Sequence, residues 1–200
     1  MTSPEPEPAP AAEQPVTGKR FDALIARVKG IILRPSKEWE TIENEKATLQ
    51  SLFRDYLAPL AAIPAAANFL GALVSGSHNP FGALAGCIIA YAFSIASVYA
   101  MGWVIFQLAD NFSARQDQMK AIKTAVYSST PIWLAGIVFL APAFNFFFVL
   151  SLYAIFILYR GLQIMMKAPT DKVTGYESAI VGVAVVLFIV CAAITAGLTI

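Results

Sequence analysis

Three long stretches without a charged side chain constrain this chain more than any other feature. No Asp, Glu, Lys or Arg occurs between Asp55 and Asp110; a second such run extends from Thr124 to Tyr159, and a third from Ser178 to Ile200. A hydrocarbon core about 30 Å thick takes roughly 20 apolar residues per helix. The runs therefore have room for two, two and one crossings, expected over about 55–75, 83–108, 124–141, 144–166 and 178–199. The expected fold is an all-α integral membrane protein, with five transmembrane helices preceded by short cytoplasmic amphipathic helices. Composition agrees: 58% of the 200 residues are hydrophobic and 14% charged, where a soluble domain carries about 25% charged. A soluble globular protein, a secreted disulfide scaffold and a nucleic-acid binder are excluded, so no nucleic-acid partner is expected.

Three regions follow one another along the chain. Residues 1–18 hold five of the twelve prolines and three glutamates, and nothing there can bury apolar surface, so a disordered tail is expected. It lacks the basic start and apolar core of a signal peptide. Residues 19–54 read as a cytoplasmic amphipathic region, and 55–200 as the membrane domain. Phe21, Leu24, Ile25, Val28, Ile31 and Ile32 share one helical arc, with Asp22, Arg27 and Lys29 off it. This segment suits a helix in the membrane interface, with residues 19–37 among anionic lipid headgroups. The alternative is an amphipathic helix packed on the protein itself. Arg34-Pro35 ends it, Ser36 is placed to cap a second short helix, and Trp39 and Ile42 are spaced to dock at the interface. A third short segment starts near Thr48.

Charge gives the orientation. Five crossings put the N-terminal region and both charged loops on one side of the membrane. That side receives all 14 Lys and Arg residues. By the positive-inside rule the N-terminus is cytoplasmic and the C-terminus faces outward. Arg160 falls inside the last turns of the fourth expected span, from which its long stem can snorkel to the interface.

Polar chemistry inside the spans is sparse. Transporters and proton relays place ionisable groups at membrane depth, yet here Asn68, Gln107, Asn145 and hydroxyl side chains are the strongest polar groups. His78, in the outer turn Ser77-His78-Asn79-Pro80, has no partner carboxylate on its side. Cys87 and Cys191 read as small apolar side chains. No H-E-x-x-H, paired-acid or phosphate-cradling glycine motif occurs. No enzyme activity, catalytic residue, metal site or cofactor is expected. Gly82 and Gly86 form a G-x-x-x-G, continued at helical spacing by Ala90 and Ser94, where another helix of this or a second chain can come close. Homo- or hetero-oligomers through the transmembrane helices follow as a possibility. Phe144, Phe146, Phe147 and Phe148 form a dense apolar patch.

Several segments also carry a family likeness. Arg34-Pro35-Ser36-Lys37-Glu38-Trp39 is followed by Asp55-Tyr56-Leu57-Ala58-Pro59, which is similar to a D-L-Y-G-P motif with Leu and Tyr exchanged and Ala58 for Gly. Ala125-Val126-Tyr127-Ser128-Ser129-Thr130-Pro131 resembles G-Y-S-x-x-P with Val126 for Gly. In these segments and their order, over residues 21–200, the chain resembles the bacterial branch of the Yip1-domain family. The resemblance implies a cytoplasmic N-terminal region, five membrane helices and a role in organising membranes. Eukaryotic relatives associate with Rab-type GTPases, a pathway bacteria lack.

Two functional classes are weighed. The first is a non-enzymatic organiser or adaptor in the cytoplasmic (inner) membrane, with Asp55, Tyr56, Pro59, Tyr127 and Pro131 as family-motif or interaction residues. A purely structural role for these five, fixing helix geometry, stands beside it. The second is a small-solute permease or passive pore subunit in which Asn68, Gln107 and Tyr127 line a polar path.

Overall fold

A computed structural model describes residues 16–76, 80–140 and 148–198. Every regular element among them is helical. In chain order these are α1 (Val16–Leu33), α2 (Pro35–Asn44), α3 (Leu49–Leu52), a π-helical turn (Phe53–Leu57), α4 (Ala58–Val74) and α5 (Pro80–Leu108). After a 3-10 turn (Asp110–Phe112) come α6 (Gln118–Ser128), α7 (Thr130–Ala135), a second 3-10 turn (Gly136–Leu140), α8 (Phe148–Met165) and α9 (Val173–Leu198). His78, Pro142, Asn145, the Phe144–Phe147 part of the aromatic patch and most of the expected tail lie outside the described residues.

Two helices, Leu49–Val74 and Phe81–Leu108, are long and apolar enough to cross a membrane, and Val149–Met165 and Val173–Leu187 are shorter apolar helices. The first is continuous from Leu49 because the chain widens to a π turn ahead of Pro59. Proline has no N–H and its ring clashes with the carbonyl four residues earlier, here that of Asp55. The wider turn, in which the Ala58 N–H reaches the Phe53 carbonyl, accommodates the ring without breaking the helix.

The expected third span, 124–141, differs. It starts earlier, at Gln118, and is not one helix: α6 stops at Ser128, α7 runs for six residues, and the chain tightens to a 3-10 turn from Gly136. Pro131 is the cause of the first break, since it can neither donate to the Tyr127 carbonyl nor sit against it.

The packed core lies at the end of the bundle that carries the charges. Trp39, Ile42, Leu57, Ile105, Val126, Ile157, Leu162, Met165 and Tyr176 are fully or almost fully buried there. Large apolar side chains toward the other end face outward: Val74 is 80% exposed, Phe81 84% and Val149 68%. Ile88, Ile89, Leu152, Val185 and Val186 are also exposed. Such an apolar exterior is unfavourable in water and natural in lipid, where burial is not needed to satisfy apolar surface.

The N-terminal helices pack onto this core, which revises three expectations. Ile31 is buried, and Leu24, Val28 and Ile32 are partly buried against the core, while Phe21 stays exposed. Most of the apolar arc of α1 thus meets protein; the same arc suits either surface, and α2 and α7 lie close enough to cover it. Trp39 and Ile42 are in the core as well, not at an interface. Ser36 does not cap α2: Arg34 occupies that position with no side-chain cap, Pro35 opens the helix, and the Ser36 hydroxyl accepts from Arg160 Nε at 3.0 Å instead. Thr48 does cap α3, exchanging hydrogen bonds with Ser51.

Candidate functional site

A dense set of polar and aromatic contacts lies where α1 and α2 meet the π turn, α6, α7 and α8. At its centre is an aromatic group. Tyr56 and Tyr127 meet edge to face with ring centroids 4.5 Å apart, and Trp39 meets Tyr127 at 6.0 Å, nearly perpendicular. Edge-on pairing sets the positive ring edge against the negative face. The Trp39 Nε1–H donates to the Ile157 carbonyl at 3.1 Å. That bond ties α2 directly to α8.

The Arg27 guanidinium stands over the Tyr127 ring, 5.9 Å from its centroid, within range of a cation–π attraction. It also donates to Glu38 and Glu45. Burial opposes the Arg27 charge, but the Glu45 hydrogen bond, with Tyr127 and Glu38 adding, outweighs it and raises its pKa above the usual value.

Below the rings, the break before Pro131 is repaired by a side chain. The Thr130 hydroxyl donates to the Tyr127 carbonyl at 2.7 Å, the group that Pro131 leaves without its helical donor. Tyr56 reaches the same Thr130 oxygen. Lys123 plays a comparable part for α2. It is buried, and its Nζ donates to the Ile42 and Glu45 carbonyls at 3.2 and 2.7 Å, placing a cation on the negative end of that helix. Glu43 accepts from Lys120 at 3.1 Å and from Lys167 at 2.9 Å. Hydrogen bonding from Lys167, then from Lys120, holds the Glu43 carboxyl below the usual glutamate range.

Close helix contacts pass through glycines outside any G-x-x-x-G. A Cβ on Gly161 would lie 2.7 Å from the Trp39 ring, and one on Gly102 2.9 Å from the Ile122 Cα. Gly136 is pressed against Pro64 and Gly71 against the Phe139 carbonyl. Gly82 and Gly86 are exposed, and a Cβ on Gly86 would meet nothing within 4 Å. Among the described residues nothing packs closely on Gly86.

Of the five motif candidates, the structure brings Tyr56, Tyr127 and the buried Pro131 into this one junction. Asp55 is partly exposed and pairs with its neighbour Arg54 at 2.8 Å. Pro59 is exposed and shapes the π turn. Asn68 and Gln107 are both exposed on separate helices, whereas Tyr127 is buried. Arg27, Lys123 and Glu43 belong to the site although no motif marked them, and Trp39 and Thr130 belong to it although the family-like segments that contain them did not single them out. The signals were present: a tryptophan in a short charged helix, a threonine immediately before a proline, and a lysine at the edge of a charge-free run. Among the described residues no three of His, Cys, Asp and Glu gather as metal ligands would.

The family model described as Yip1 domain matches residues 29–192. "Inner membrane protein YohC" of Escherichia coli K12 is 25% identical over 184 residues, covering 86% of this chain and 94% of that protein. YohC of Escherichia coli O6:H1 strain CFT073 is similar to the same extent, 25% identical over 184 residues. No solved structure matches the chain.

Proposed function

This chain belongs to the Yip1 domain family, and on that premise we propose that it is a non-enzymatic organiser or adaptor of the inner membrane. The observation that carries the reading is the fastening of α1 and α2 to the spans. Trp39, Arg27, Lys123 and Glu43 each bond across to another element. A soluble-facing platform held rigidly on a membrane core can present one surface to partners or to the bilayer. Nothing in that arrangement needs a moving charge or a reacting group.

In this reading the charged end is cytoplasmic, the chain crosses five times, and the C-terminus faces outward. The basic residues at one end support it through the positive-inside rule. The name of the similar YohC proteins supports the inner membrane. The permease reading draws less support, because Asn68 and Gln107 face outward and Tyr127 is engaged in the aromatic junction.

Reconstitution separates the two. Purified full-length protein is placed in vesicles of phosphatidylethanolamine and phosphatidylglycerol, and vesicle shape and small-solute flux are recorded together. An organiser changes vesicle shape or protein clustering while flux stays at the level of empty vesicles. Solute-selective flux with unchanged vesicles contradicts the proposal.

A further inference from the structure

We propose that the corner between α1 and α2 is a binding site for anionic phospholipid, seated against the outward face of α8. Three observations carry this. The first is position. The Tyr153 hydroxyl of α8 donates to the Ile32 carbonyl at 3.1 Å, so the last turn of α1 lies against the first third of an apolar helix. Leu33, the next residue, is 73% exposed. On α8 itself Leu152 and Phe156, flanking Tyr153, are also exposed. An apolar side chain turned outward beside a lipid-facing helix matches an acyl chain.

The second observation is charge. Lys29, Arg34 and Lys37 are all exposed and form no ion pair with any described residue. Lys29 lies one helical turn before Leu33 on the same face, and Arg34 and Lys37 follow directly after it. The third is where the neighbouring carboxylates point. Glu38 and Glu45 are engaged by Arg27, and Glu43 by Lys120 and Lys167. Glu38 and Glu43 are partly buried and Glu45, though exposed, is paired; of the α2 acids Glu40 alone remains exposed without an ion pair among the described residues. The corner thus keeps three unpaired cations against one unpaired acid, Glu40, and stays net positive. A phosphodiester between the cations, with its chains along Leu33, Leu152 and Phe156, satisfies both halves of the surface.

This relocates the lipid contact from the apolar arc of α1, most of which meets protein, to the end of that helix. It rests on the cytoplasmic placement of the charged end, which the topology reporter described in the Discussion reads separately.

The test uses the full chain in detergent, with phosphatidylglycerol and phosphatidylcholine competing for retention in native mass spectrometry. The variant Lys29→Gln/Arg34→Gln/Lys37→Gln is compared with Arg115→Gln, which alters a basic residue elsewhere at the charged end. Wild type and Arg115→Gln should retain phosphatidylglycerol preferentially. The triple variant should lose that preference by at least about 5-fold, the equivalent of about 1 kcal/mol for one basic residue at an anionic surface. Lys29→Arg/Lys37→Arg, which keeps the charge, should retain it. Equal retention of both lipids by wild type, or an unchanged preference in the triple variant with native circular dichroism, overturns the proposal. So does a loss of preference in Arg115→Gln as large as in the triple variant.

Discussion

The Tyr56 hydroxyl lies 2.7 Å from the Thr130 Oγ1 and donates to it. The direction follows from proton count: a threonine hydroxyl has one proton, and that of Thr130 is committed to the Tyr127 carbonyl. The pair therefore joins the start of the first span to the break in α6–α7. Both residues are buried. Tyr56→Phe removes a donor and leaves no donor unpaired, so it should cost about 0.5–1.5 kcal/mol. Thr130→Val leaves the Tyr56 O–H without its acceptor and removes the side-chain donor from the Tyr127 carbonyl, so it should cost more, with a non-additive double variant. Thermal melting in detergent checks the order. Equal losses for the two single variants would contradict the proton assignment.

Glycines provide a second comparison. Gly161→Ala forces a methyl into the Trp39 ring and toward Thr124 Cγ2, and overpacking of this kind costs about 1–3 kcal/mol. Gly86→Ala meets open space among the described residues. Melting of the detergent-solubilised monomer should fall for the first and hold for the second. A shift in oligomer size for Gly86→Ala, without loss of monomer stability, would assign that face to a second chain.

Lys123 should matter out of proportion to its single charge. Lys123→Met withdraws the cation from the Ile42 and Glu45 carbonyls at the end of α2, each a charge-assisted bond of about 1.5–3 kcal/mol. Hydrogen exchange should rise in α2 and the following turn before it rises in the spans. Lys46→Met, at an exposed position nearby, should leave exchange unchanged. Indistinguishable exchange in the two variants would show that α2 does not depend on Lys123.

Acid should loosen the same region. The Glu43 pKa is lowered by Lys167 and Lys120, so its folded value lies below its unfolded one. A carboxylate of this kind stabilises the fold above the unfolded pKa and loses that contribution as pH falls through the folded pKa. Between about pH 6 and about pH 3, spanning the ordinary glutamate pKa, wild type should lose more stability than Glu43→Gln. High salt should shrink the difference, since Lys167 is about half exposed. Parallel acid profiles for the two proteins would remove Glu43 from this role.

The membrane character of the chain was legible because lipid excludes charge, and a run free of charged residues is visible without any contact. The break at Pro131 had a visible cause, a proline inside the expected third span, although that span was read as continuous. What Trp39 and the arc of α1 touch was not. Lipid and protein both accept an apolar face, so periodicity alone cannot choose between them. The glycine contacts failed for a related reason: Gly161 and Gly136 are close-packed because of what lies opposite, Trp39 and Pro64. A spacing motif within one helix does not encode its partner. Tyr56 and Tyr127 were singled out by motif, yet Thr130, which bonds to both, and Arg27, which stands over Tyr127, take their roles only in the three-dimensional arrangement.

The organiser role depends on which side of the membrane holds the fastened helices. An alkaline phosphatase reporter fused after Ile200 measures this directly, because the enzyme is active only outside the cytoplasm. Five crossings with the charged end inside predict high phosphatase activity from that fusion and none from one placed after Lys46. An inactive fusion at Ile200 beside an inactive one at Lys46 would contradict the odd number of crossings, and with it the placement of the basic end that the organiser reading requires.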